Sequence, residues 1–305
     1  MARWRQWLRY GERYVTAWMG LRAPPSFLII GAQKAGTTSL FQYLAQHPQI
    51  VSPLTKEVCY FSHPHRYRRG RSFYLAYFPR HRQLRSGDLT FEASPRYLYH
   101  RDSAARIHEF NAQMKLIVLA REPVARAYSH WNSFRDIWKK NPNFKNAKVD
   151  PDEWRMLEAL LRPNGEMASF ESLVHQELEL VDRDNAPSEP SLVRRGLYYR
   201  QLLPFLECFP RAQLLVVGTE ELNREPVLHL NQICRFLGID EFAPGMPRLE
   251  KHNERPYQHH IESDVHQSLR SFYRPHNRAL FEWMGRDLGW DQDSGPGDSP
   301  VQVGS

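Results

Sequence analysis

Between Gly31 and Ser39 the chain reads GAQKAGTTS, two glycines, one lysine and three successive hydroxyls within nine residues. That set suits a phosphate or another tetrahedral oxyanion. The glycines let backbone amides close on the oxygens, the lysine adds a point charge, and the hydroxyls donate. Gln33, Lys34, Ala35, Gly36, Thr37, Thr38 and Ser39 are the residues such a loop would present. The apolar run SFLII (26–30) precedes it, in the manner of a buried parallel strand. FQYLAQHP follows with helical apolar spacing. An anion held here would sit on a helix N-terminus, where amides are unpaired and the dipole is positive. The nucleotide triphosphatase loop, GxxxxGK[ST], has its lysine directly after the second glycine. Here Thr37 takes that place and Lys34 lies two residues before Gly36, which disfavours a P-loop kinase. An ordinary strand-to-helix turn is the other reading that the loop alone allows.

Two further units repeat the strand-turn-helix order. One runs from KLIVL (115–119) through the turn 120–123 into a helix over 124–134; the other from QLLVV (213–217) into a helix over about 226–237. This alternation predicts an α/β fold: a doubly wound parallel sheet with helices on both faces. Residues 62–85, rich in Arg, His and Tyr, and 136–152 read as insertions forming an acceptor cleft; 184–191 reads as a surface loop. Residues 1–22 place Trp4, Trp7, Leu8, Tyr14, Val15, Trp18 and Met19 near one helical face, with Arg3, Arg5, Arg9 and Arg13 mostly elsewhere. Ala23-Pro24-Pro25 is expected to end that helix. Docking on the domain and peripheral contact with a membrane surface are its two readings. The expected organisation is a basic amphipathic helix over 1–25, one domain over 26–290, and a disordered tail over 291–305.

The net charge of +7 suits anionic ligands, but 41 basic and 34 acidic residues are well mixed and no nucleic-acid-binding motif is present. No nucleic-acid partner is expected. No uninterrupted apolar run is long enough for a membrane helix, and the N-terminal residues lack a secretory pattern. Three cysteines without metal-like spacing point to reduced thiols. A bacterial, cytoplasmic protein is expected, with membrane contact through residues 1–22 at the inner face as a further possibility of the pattern.

In its GxxKxGTTxL pattern the chain resembles the sulfotransferases that use 3′-phosphoadenosine 5′-phosphosulfate (PAPS). LAREPVARAYSHW (119–131) is similar to that family's 3′-phosphate motif, in which the positions of Arg121 and Ser129 hold the phosphate. KEVCYF (56–61) resembles the KE-x-x-[FY]-F stretch of the glycan branch. RGLY (195–198) resembles the third nucleotide-contacting region, implying roles for Arg195 and Tyr198, and residues 272–290 resemble the C-terminal helix. The resemblance covers roughly residues 26–290. It implies the P-loop-like PAPS-binding fold, PAPS as co-substrate, 3′-phosphoadenosine 5′-phosphate as product, and no metal.

Sulfuryl transfer needs an in-line nucleophile, stabilisation of the equatorial oxygens and help for the leaving phosphate. Lys34 is the candidate for the leaving group and Glu57, by resemblance, the general base; a lone Glu is otherwise a surface residue. His130 is a candidate second acid/base, since a histidine titrates near neutral pH, or a contact to the acceptor, and His100 is a rival base. Two departures stand out. Ala93 occupies a position that often carries lysine in the Golgi glycan enzymes, and their cysteine-bridged C-terminal loop is missing. Lys251 to Arg255, with Asn253 and Arg255, is the candidate to close over the nucleotide instead. The expected acceptor is a glycan or glycolipid hydroxyl or amine. A small-molecule phenol or alcohol, and a non-catalytic nucleotide-binding module at a membrane surface, are the alternatives.

Overall fold

A computed structural model of the chain describes residues 11–140, 154, 157–182, 191–248 and 261–291. Five strands form one sheet: β1 (Phe27–Gly31), β2 (Ile50–Val51), β3 (Leu89–Ala93), β4 (Lys115–Ala120) and β5 (Leu214–Gly218), in the order β2-β3-β1-β4-β5. Every neighbouring pair is parallel. Helices flank the sheet. β1 is buried at all five positions and β4 at five of six, as expected of central parallel strands whose two faces are both covered. β3 was not expected as a strand. Its sequence, LTFEA, carries a carboxylate at a position that the fold buries.

From β1 the chain passes through α1 (Thr37–Leu44) to β2 and then β3 on one side. After α2 (Asp102–Phe110) it crosses to β4, α3 (Pro123–Lys140) and finally β5 on the other side. Winding thus reverses between β1 and β4, the position at which open α/β sheets leave a crevice for ligands. α4 (Phe170–Leu180), α5 (Tyr198–Cys208), α6 (Thr219–Arg224), α7 (Pro226–Leu237) and α8 (Ser263–Met284) complete the elements used below. One apolar core surrounds the sheet; a second joins α3, α4, residues 192–197 and α8.

Three expectations need correction. α3 does not stop at Phe134 but runs to Lys140, with Lys139 and Lys140 in its last turn, where cations favour the helix dipole. The rest of the expected loop, 141–152, lies outside the described residues, as does 184–190. Residues 62–85 are not an open insertion: short helices at Pro64–Tyr67 and Arg71–Leu75 bury Phe73, Tyr74 and Leu75 in the main core. Within the N-terminal segment, residues 11–18 are helical, and the helix ends in a turn at Gly20 (φ 72°), before Ala23-Pro24-Pro25. It docks through Thr16, Ala17 and Arg13, whose guanidinium donates to the Ala76 and Phe78 carbonyls. Tyr14, Val15, Trp18 and Met19 face solvent.

Candidate active site

The loop after β1 is shaped by two glycines for different reasons. At Gly31 a Cβ would lie 2.6 Å from Leu98 Cδ2, so no side chain fits where the strand ends. Gly36 takes the left-handed conformation (φ 88°) as N-cap of α1. Gly36 has no side chain with which to cap the helix, and no acidic residue occupies the first turn, leaving that end attractive to an outside anion. Lys34 is also left-handed (φ 73°). Three successive carbonyls of the loop are tied to other elements. Gln33 O accepts from Arg126 Nη1 (3.4 Å), Lys34 O from Arg121 Nη1 (3.2 Å) and Ala35 O from Thr219 Oγ1 (2.8 Å). The cradle is therefore formed by α3 and α6 as well as by its own sequence. The side-chain oxygen of Gln33 is buried without a hydrogen-bond partner among the described residues, as a group awaiting a ligand donor would be.

Arg121 follows β4, across the crevice from this loop. Its backbone is held at both ends: the Tyr198 hydroxyl accepts from Arg121 N (3.3 Å) and donates to Arg121 O (2.7 Å). The Glu122 carboxylate accepts the first-turn amides of Val124 (2.9 Å) and Ala125 (2.6 Å), capping α3. Glu220 Oε1 accepts from Glu122 N (3.0 Å) and its Oε2 from Trp290 Nε1 (3.2 Å), which ties the C-terminal residues to this turn. The inward face of α3 is unusually polar: Arg126, Ser129, His130 and Asn132 are all buried. Buried polar groups are costly unless matched, so a helix that turns this face inward borders a site rather than only a core.

Glu57 sits past the end of β3, where its amide donates to Ala93 O (3.1 Å). It is left-handed (φ 61°), as is Cys59 (φ 51°). Its side chain is half exposed and pairs with Lys56 Nζ at 2.5 Å. Beneath the turn lies Glu92, wholly buried, whose carboxyl is raised above the usual range by desolvation and drawn back by hydrogen bonds from Ser94, Tyr97 and Tyr74. Arg66 Nη1 donates to Val58 O (2.7 Å), placing the arginine-rich segment beside this turn.

The two histidines depart from expectation. His130 is 1% exposed, and neither ring nitrogen bonds to a described residue. Burial, then Arg126, Arg195, Lys34 and Arg96, holds it well below the ordinary histidine value, which favours the neutral ring over the near-neutral titration expected of it. His100 is pushed down to about 3 by burial, then by Arg195 and Arg96. Arg195 lies in a buried layer, with its guanidinium 4.0 Å over the Tyr99 ring and Nε donating to Ser191 Oγ (2.6 Å). Tyr198 spends its hydroxyl on the Arg121 backbone and packs its ring against Trp290. Asn253 and Arg255 lie outside the described residues. Sequence reasoning did not single out Arg126, Glu122, Thr219 or Glu92. Arg126 had a signal, since it is the second arginine of R-E-P-x-x-R, but the carbonyls it braces come from distant segments.

Residues 24–274 match the family model for the sulfotransferase domain. The chain is 30% identical over 295 residues to mouse heparan sulfate glucosamine 3-O-sulfotransferase 3B1, covering 89% of this chain and 66% of the relative. It is 23% identical over 338 residues to the membrane-associated sulfotransferase kil1 of Dictyostelium discoideum, covering 87% and 66% respectively. The chain thus spans just under two thirds of the length of these two curated relatives. The crystal structure of a sulfotransferase from Alicyclobacillus acidocaldarius superposes with a TM-score of 0.66 at 28% identity, covering 88% of this chain and 100% of that one. With a family match that spans most of the chain, and with its phosphate-type loop, Arg121 and the Glu57 turn gathered at the carboxyl ends of the parallel strands, the chain belongs to the sulfotransferase family.

Proposed function

We propose that this protein transfers a sulfuryl group from PAPS to a hydroxyl or amine of a glycan or glycolipid. One observation carries this reading. The loops that follow β1 and β4 meet the Glu57 turn at the carboxyl ends of the strands, with Arg121 bonded to the Lys34 carbonyl and the Glu57 amide bonded to Ala93 at the end of β3, the strand next to β1. The residues present suit the co-substrate: an uncapped helix N-terminus and Lys34 for the 5′ end, and Arg121 with the buried Ser129 hydroxyl for the 3′-phosphate. PAPS supplies the activated sulfuryl group. The Glu57 carboxylate takes the acceptor proton as the acceptor atom attacks sulfur. The Lys34 ammonium neutralises the charge that gathers on the departing phosphate oxygen. Exposed Arg68, Arg69 and Arg71, in the segment that Arg66 ties to the Glu57 turn, favour an acidic polymer over a neutral phenol. A histidine base is the weaker reading, because desolvation disfavours protonating His100, which would also place a further charge beside Arg195 and Arg96.

The remaining readings are a cytoplasmic, bacterial location and peripheral contact with an anionic membrane through residues 1–22, which the solvent-facing Tyr14, Val15, Trp18 and Met19 support. The enzymatic reading is tested with radiolabelled PAPS and a panel of glycan, lipid and phenolic acceptors. Glu57→Gln should lower turnover by about 10² to 10⁴-fold while nucleotide affinity holds. Lys34→Ala should reduce both. Full turnover in Glu57→Gln together with inactivity of His100→Ala would transfer the base to histidine.

A further inference from the structure

Glu92 pairs with Leu28 across β3 and β1 and is wholly buried. Three hydroxyls donate to it. Tyr74 (2.8 Å) and Tyr97 (2.7 Å) reach Oε2, and Ser94 Oγ reaches Oε1. Two of these hydroxyls also reach the Glu57 turn. Ser94 Oγ accepts the Cys59 amide at 3.0 Å, and Tyr97 Oη accepts the Tyr60 amide at 2.9 Å. Tyr74 stacks on the Tyr60 ring (4.6 Å) but gives its hydroxyl only to Glu92 among the described residues.

A hydroxyl has a single proton. Where that proton goes to a carboxylate, the oxygen lone pairs are left for the amides, and the polarised hydroxyl accepts more strongly. Glu92 thereby sets the direction of both bonds that anchor the turn. The turn needs anchoring, because Glu57 and Cys59 are non-glycine residues in the left-handed region, a conformation that persists only when its surroundings over-determine it.

We propose that Glu92 is a positioning residue: acting through Ser94 and Tyr97, it holds the Glu57 to Tyr60 turn in the left-handed form that directs the Glu57 carboxylate at the acceptor. This rests on the reading of Glu57 as the base. A knot that merely stabilised the fold would treat its two tyrosines alike, whereas a positioning network does not, since only Tyr97 continues into the turn.

The test compares Tyr97→Phe with Tyr74→Phe in the full chain. Each removes one hydroxyl from Glu92 and keeps the ring. The readouts are PAPS turnover with the unsulfated polymer heparosan as acceptor, or with water where the polymer is not used, and calorimetric affinity for 3′-phosphoadenosine 5′-phosphate. Tyr97→Phe should lower kcat about 10 to 10²-fold, the usual consequence of a misplacement of roughly 1 Å, with nucleotide affinity within about twofold of the parent. Tyr74→Phe should keep kcat within about twofold, because no bond to the turn is lost. Ser94→Ala should behave like Tyr97→Phe and replaces it if that variant does not fold. Equal loss of kcat in the two tyrosine variants, or no loss in either, overturns the proposal. Glu57→Gln separates the two readings. If it keeps full turnover, the base assignment is wrong; if it is inactive while Tyr97→Phe is fully active, the base stands and the positioning role does not.

Discussion

Arg121→Ala removes two interactions that different nucleotides can separate. The first is the charge-assisted contact to a 3′-phosphate, worth about 1.5 to 3 kcal/mol. The second is the brace from Nη1 to the Lys34 carbonyl, a half-buried bond worth about 1 kcal/mol. Together they amount to roughly 2.5 to 4 kcal/mol, so affinity for 3′-phosphoadenosine 5′-phosphate should fall about 10² to 10³-fold. Adenosine 5′-phosphate lacks the 3′ group and senses only the brace, so its affinity should fall about fivefold. The difference between the two losses isolates the arginine–phosphate contact, as a double-mutant cycle would. Titration calorimetry of both nucleotides against both proteins gives all four values. Equal losses for the two nucleotides would refute the assignment and leave Arg121 as a strut of the loop. A preference for ATP over the 3′-phosphorylated nucleotide in the parent protein would refute the nucleotide reading as a whole.

Acid should destabilise the protein through two desolvated histidines, His100 and His130. His100 is held at about 3 in the fold against 6.5 when free, so between those values the unfolded chain binds the extra proton. Its contribution is complete above pH 6.5 and is lost as pH falls; at pH 5 the loss is about 2 kcal/mol. His130, lowered in the same direction, adds to it. Denaturant unfolding at pH 7.5 and pH 5.0 should show this gap narrowing by about 2 kcal/mol in His100→Gln, and an unchanged gap would mean that the imidazole is solvated. For the N-terminal helix, sedimentation with anionic vesicles should retain the protein, and Trp18→Ser should weaken binding roughly tenfold, the worth of one apolar side chain removed from water. Equal binding of parent and variant would dismiss the membrane contact.

Much of the architecture lay open in the chain itself. β1, β4 and β5 are continuous apolar runs followed by turn residues, and that local pattern suffices because central parallel strands are buried on both faces. The phosphate-type loop was readable too, since glycine, lysine and hydroxyls in a short span need no distant partner to suggest an anion. β3 was not legible, because Glu92 interrupts its apolar run and is tolerated only by hydroxyls from Tyr74, Ser94 and Tyr97. The N-terminal helix could be drawn from its periodicity, yet periodicity does not say which face docks. Arg13 and Thr16 settle that by reaching carbonyls and a guanidinium supplied by other segments, Ala76, Phe78 and Arg22 among them. The same holds for His130. Sequence assigns a histidine its solution chemistry, but the titration of an imidazole is a property of the medium around it. Here that medium is a buried layer with Arg126, Arg195, Lys34 and Arg96 nearby, residues brought from four separate stretches of chain that only the closed fold sets against one another.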